Sequence, residues 1–122
     1  MTLRLFLALI ILASCRPNSK YEVIGVRENK PEFLATVYAP DTVWTEMEKF
    51  AKTFVAQKKD KKYKSYSIGF YSKKETTLKF DEEGMPIVKS YEEATHSQDF
   101  LIATYELNSD DSSSEKFEHF NR

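Results

Sequence analysis

Thr42-Val43-Trp44-Thr45-Glu46-Met47-Glu48-Lys49-Phe50-Ala51-Lys52-Thr53-Phe54-Val55-Ala56-Gln57 decides the fold class of this chain. Apolar side chains recur at Val43, Met47, Phe50, Ala51, Phe54 and Val55, the spacing of one helix face, with Trp44 beside the stripe. Glu46, Glu48, Lys49, Lys52 and Gln57 take the remaining surface. The spacing predicts an amphipathic helix of about four turns. Asp41 or Thr42 can begin it, because either side-chain oxygen can accept from the free donors of a first turn. Acidic residues come early and Lys58-Lys59 late, the order that the helix dipole favours. A helix with one apolar stripe needs a surface to cover, and the flanking segments supply it.

Those segments read as strands. Before the helix, Tyr21-Glu22-Val23-Ile24-Gly25-Val26 is rich in β-branched residues, Glu28 to Pro31 is a turn, and Phe33 to Ala39 places Phe33, Ala35 and Val37 on one face, with Pro40 ending the run. After it, a charged linker from Lys58 to Lys64 leads into Ser65 to Tyr71, where Tyr66, Ile68 and Phe70 alternate cleanly. The linker is either a solvated helix end or a patch for anionic headgroups. Thr76, Leu78 and Phe80 alternate again and predict a hairpin with Ser65–Tyr71. Asp81 to Pro86 is a loop, Ile87-Val88 a candidate short strand, Ser90 to His96 a turn of helix or a loop, and Asp99 to Leu107 a final strand. The fold class is therefore α+β: a small, mainly antiparallel sheet of about four to six strands packed against one amphipathic helix.

The chain begins with a different kind of segment. Arg4 and the α-amino group make a positive end, and Leu5 to Ala13 is continuously apolar. That run suits a signal-peptide core of roughly 7–15 residues and falls short of the ~20 needed to span a bilayer. Leu12-Ala13-Ser14-Cys15 closes it and holds the only cysteine. These four residues resemble the lipobox of bacterial lipoproteins. The resemblance implies that Leu12, Ala13 and Ser14 are recognised by a signal peptidase, that Cys15 becomes the first mature residue, and that its sulfur carries a diacylglyceryl group. An ordinary cleaved signal peptide and an uncleaved anchor are the other readings. Two or more acyl chains hold a protein stably at a membrane, where one holds it only reversibly. Arg16 follows the cysteine rather than the acidic residue that resembles an inner-membrane retention signal in enterobacteria, which points to the outer membrane where the host has one.

The domain plan that follows is a signal peptide over 1–14, a lipidated tether over 15–20, one α+β domain over 21–108, and an acidic, Ser-rich tail over 109–122. The tail's Ser109 to Glu115 has little apolar area to bury and is expected to be disordered, with Phe117 and Phe120 near its end. Formal net charge is -1, and removing residues 1–14 takes away only Arg4, leaving 17 basic against 19 acidic residues. So balanced a chain lacks the basic stripe of a nucleic-acid binder. With Cys15 used for lipid, no intramolecular disulfide is available, and packing must supply the stability.

Chemical constellations are few. Glu92, Glu93, His96 and Asp99 lie close in sequence, yet a metal needs three or four convergent ligands and His119, the other histidine, falls in the tail; no metal or cofactor is expected. Ser97, His96 and Asp99 have hydrolase residue types without a nucleophile-elbow motif. The three glycines form no phosphate-cradling loop. Tyrosines stand on both strand faces, and Tyr38 and Tyr71 are candidates for an exposed binding platform or for cross-strand packing.

The order of strands and one capped helix, then Tyr63 to Tyr71, then Ala94-Thr95-His96 with Asp99 before the last strand, is similar to a family of small uncharacterised secreted bacterial α+β domains. This likeness implies the fold and an exported location and carries no activity, and Ser72-Lys73-Lys74 stands where that family has Leu-Pro-Gly. The expected function is a lipid-anchored cell-envelope protein that binds another envelope protein or inhibits an incoming one. Binding of a small molecule or glycan on the tyrosine-bearing face is the alternative, and a hydrolase around His96 the third reading.

Overall fold

The computed structural model describes residues 20–58, 63–87, 96–108 and 114–120. Five strands form one sheet in chain order: β1 (Glu22–Asn29), β2 (Glu32–Tyr38), β3 (Ser65–Tyr71), β4 (Leu101–Asn108) and β5 (Glu115–His119). The main helix, α1 (Trp44–Ala56), packs on a single face. All neighbours are antiparallel except β2 and β3, which run parallel. The helix makes this possible, because it carries the chain back along the sheet before β3 begins, where a tight turn can only reverse direction. The architecture is a mostly antiparallel α+β domain, as the sequence periodicities predict.

Register shows what each face is made of. Val26, Ala35, Ile68, Tyr105 and Phe117 stand side by side across all five strands, and Phe33, Tyr66 and Leu107 form a parallel row. Against these rows α1 sets Met47, Ala51 and Val55, each no more than 1% exposed. Burying a side chain the size of Met or Val contributes about 1.5–3 kcal/mol, so this stripe fixes the helix on the sheet. Phe50 and Phe54 stack on the helix flank and meet Tyr21 and Phe33 at centroid distances of 5.4 and 5.9 Å. Tyr66 donates its hydroxyl to the Lys58 carbonyl just past the helix end, satisfying an acceptor that the helix leaves open.

The helix start differs from expectation. Val43 is the N-cap and no side chain caps the first turn. Asp41 turns toward Lys20 instead, whose ammonium lies 2.5 Å from Asp41 and 2.7 Å from Glu46. The hydrogen bond from Lys20 holds Asp41 below the usual carboxylate range, and Asp41 and Glu46 together hold Lys20 above its ordinary value. Capping is thus given up for a clamp on the chain where it enters the domain.

Two further expectations are corrected. Thr76 to Phe80 does not pair with β3, whose edges are taken by β2 and β4. The segment instead leaves β3, makes a 3-10 turn at Lys74–Thr76, and crosses the face opposite the helix as a strap. There, Phe80 bridges Pro86 and Ile87 donates to the Lys79 carbonyl, closing a small hairpin through Gly84 at φ +82°. The tail is corrected in part: Ser109 to Ser113 lie outside the described residues, while Glu115–His119 is a fifth strand paired to β4. Its inward residues Glu115, Phe117 and His119 have partners waiting: the Tyr105 hydroxyl 2.8 Å from Glu115, Phe70 edge-on to Phe117, and the Trp44 indole stacked on His119. The lipobox residues Leu12 to Cys15, Lys59 to Lys62 of the linker, Val88 and the Ser90–Thr95 segment lie outside the described residues.

Candidate functional site

The face away from the helix divides in two. Toward the Tyr38 end, the row Gly25, Thr36, Gly69, Thr104 lies next to Tyr38, Tyr71 and Leu101. The strap covers the β1–β2 side of this half. Thr36 donates its hydroxyl to the Leu78 carbonyl at 2.5 Å, and the strap backbone comes so close at Gly25 that a Cβ there would overlap the Leu78 oxygen. Lys74 pins the strap to β1 through Glu22 at 2.9 Å. Thr77 is buried and bonds the Lys73 carbonyl.

On the β3 side, the Tyr71 and Leu101 side chains close over Gly69. Tyr71 is only 5% exposed, and burial pushes its hydroxyl above the ordinary phenol range. Tyr38 is half-buried beside it. The two residues are neighbours across β2 and β3, as a platform requires, but Tyr71 serves packing and offers no outward ring.

His96 and Asp99 meet at 3.2 Å with both side chains largely exposed. Ser97 between them is fully buried, so it is no solvent-accessible nucleophile. A triad is not assembled from these three residues. Among the described residues, no group of His, Cys, Asp and Glu side chains is placed to hold a metal ion.

Among the described residues, nothing covers the other half of the outer face. Arg27, Leu34, Ser67, Glu106 and Lys116 form one straight row from β1 to β5, and Glu32 and Ser65 stand in the row beyond. Together they line a groove of about 440 Å³. Its polar groups alternate in charge: Arg27 and Lys116 are cationic, Glu32 and Glu106 anionic, with two serine hydroxyls on the floor. Arg27 sits at the boundary with the strap. Its stem rests on Gly84, its guanidinium carbon lies 5.7 Å from the Phe80 ring centre, and its Nε is sealed from solvent without a hydrogen-bond partner. None of these groove residues stands out in the sequence, since each is an ordinary outward position of its strand and only the five-strand register brings them together.

The groove lies at the Asn29–Glu32 end of the sheet, whereas the chain enters at Lys20, beside Tyr38 and the start of α1. Seven residues of β2 separate those ends, roughly 20 Å at strand rise. No helix among the described residues is long and apolar enough to cross a membrane. No protein-family model, curated protein or solved structure matches the chain.

Proposed function

We propose that this chain is a lipid-anchored interaction module of the bacterial cell envelope, held at the exported face of a membrane through Cys15 and presenting its outer-face groove to an envelope protein. The lipobox resemblance of Leu12-Ala13-Ser14-Cys15 supports the anchor, and Arg16 favours the outer membrane where the host has one. The observation that carries the interaction reading is the position of the groove. It opens at the end of the sheet remote from Lys20, so a domain tethered by the few residues before Lys20 turns the groove away from the lipid.

Two acyl chains on Cys15 make residence at the surface stable, and a tethered site meets its partner at a raised local concentration. The test is crosslinking in intact cells followed by recovery of the tagged protein, with Cys15→Ala as control. One protein recovered in near-equal amount, and lost when the anchor is removed, supports the module. Recovery of the same protein whether or not the anchor is present sinks the role of the tether, and recovery of none sinks the protein partner.

A second reading has its own observation: about 440 Å³ is the size of a small-ligand site, and its mixed-charge lining suits a polar molecule. Thermal stabilisation of the protein by a component of cell-wall extract distinguishes it, since a ligand that binds only the native state raises the melting temperature by mass action.

A further inference from the structure

We infer that β5 is a pairing edge for a second copy of this chain, the two Glu115–His119 strands joining antiparallel about a two-fold axis at Phe117. The inference goes beyond the reading above and needs neither the anchor nor the groove. β5 ends the sheet, with β4 on one side only. Phe120 N–H donates to the Ile102 carbonyl and the Ser114 carbonyl accepts from Asn108 N–H, so even-numbered residues turn their backbone groups toward β4. By the alternation of an antiparallel ladder, Phe117 and His119 turn theirs away from it. Among the described residues, neither takes a backbone partner outside the β4 ladder. The opposite edge differs, because a register shift between Val23 and Gly25 interrupts β1 where a second strand would have to pair.

A short, charged edge strand ordinarily turns other strands away. This one admits its own copy because Glu115-Lys116-Phe117-Glu118-His119 is complementary to itself when reversed. Centred on Phe117, the pairing sets Lys116 against Glu118 on both sides of the axis and Glu115 against His119, with the two Phe117 side chains adjacent at the centre. Lys116 and Glu118 share the outer face and lie 3.2 Å apart within one chain, so the pair of copies brings four alternating charges together. Phe117 is half-buried on the helix face, edge-on to Phe70 at 6.4 Å, and gains a cross-strand aromatic neighbour for the remainder of its ring. The charges also fix the register. Slipping by two residues sets Lys116 against Lys116 or Glu118 against Glu118, and a slip of one turns Phe117 to the wrong face. Parallel pairing in register opposes every charge with its like. The surviving arrangement is isologous and closes as a dimer, whereas a foreign strand without this alternation meets unmatched charges.

A single five-residue edge makes a small interface, so the dimer is expected to dissociate in the micromolar range. The experiment is sedimentation of the full-length protein in non-ionic detergent across about 1–200 µM, which brackets such a constant. The wild-type chain is expected to pass from monomer to dimer over that interval. Lys116→Glu opposes glutamate with glutamate twice in each dimer, and Glu118→Lys opposes lysine with lysine twice. Each variant is expected to weaken dimerisation about tenfold or more. Both side chains are largely exposed, at 67% and 48%, so neither change threatens folding. An equal mixture of the two variants restores opposite charges across the axis and is expected to form a heterodimer about as tight as the wild-type dimer. Wild-type protein that stays monomeric throughout, single variants that dimerise as well as wild type, or a mixture that stays monomeric overturns the pairing. Failure of this dimer leaves the envelope partner standing, and failure to recover that partner leaves the dimer standing.

Discussion

The Trp44 indole and the His119 imidazole lie 4.5 Å apart with planes inclined by only 10°, so the first turn of α1 is stacked directly on the last residue of β5. This contact joins the middle of the chain to its last described strand. Trp44 is the only tryptophan, which makes its emission a direct reporter of that strand's docking. His119→Ala is expected to shift Trp44 emission to the red and to cost about 0.5–1.5 kcal/mol, the usual range for a ring pair beyond its buried area. Unchanged emission would mean that β5 docks without the stack.

Gly25 is required by the strap. Its missing Cβ is the space occupied by the Leu78 carbonyl, with Thr36 Oγ1 2.7 Å away. Because the near atom is backbone, it cannot swing aside. Gly25→Ala is expected to cost about 1–3 kcal/mol in urea unfolding, the range of core overpacking. Val26→Thr next door, on a residue 40% exposed, is expected to stay within about 0.5 kcal/mol.

Tyr71 and Tyr38 separate packing from display. Tyr71→Ala removes a ring only 5% exposed and is expected to cost about 3 kcal/mol or more, as aromatic truncations in cores do. Tyr38→Ala, half-buried, is expected to cost less than half of that. Equal losses would place both rings in one packed layer.

Alkaline conditions test four tyrosines at once. Burial, as the foremost cause, raises Tyr21 to about 12 and lifts Tyr63, Tyr71 and Tyr105 above the ordinary phenol range, with the Glu115 carboxylate adding to the rise at Tyr105. The folded state therefore holds these protons more tightly than the unfolded chain, whose phenols ionise near ~10. Their stabilising contribution is complete below pH ~10 and is lost as pH climbs through the folded values. The raised lysines Lys20 and Lys74 act in the same direction. The urea midpoint is expected to fall from pH ~9 to ~11.5, with part of the tyrosinate absorbance appearing only on unfolding. A flat midpoint across that interval would contradict it.

Sequence periodicity alone located α1, β2 and β3, because each carries a regular apolar pattern that a packed face demands. Thr76, Leu78 and Phe80 carry the same alternation without being a ladder strand. Period two records an extended segment lying on a surface, and here the surface is the sheet's second face. The last strand was hidden by composition, since Ser and Asp dilute the tail and its apolar content is small. Its signal was Glu115, Phe117 and His119 alternating with Lys116 and Glu118, a pattern visible only once a charged and an imidazole side chain are allowed inward partners. Tyr71 was legible as a strand residue but its burial was not, because the alternation of a strand does not say how far each of its two faces is covered. The groove was illegible for a plainer reason: Arg27, Ser67, Glu106 and Lys116 are scattered over ninety positions and meet only through four successive strand registers.

The sheet is threaded in chain order, with β1 on one edge and β5 on the other, and Lys20 and Phe120 emerge at the same end of it, four strand spacings apart. A tug between an anchored N-terminus and a partner holding the C-terminus therefore acts across the strands. Such a load opens ladder hydrogen bonds one after another from an edge, where a pull along the strands would break them all together. The domain is thus mechanically soft along that direction, and a single-molecule pull from its two ends should peel β5 or β1 away at low force while the β2–α1–β3 centre stays closed.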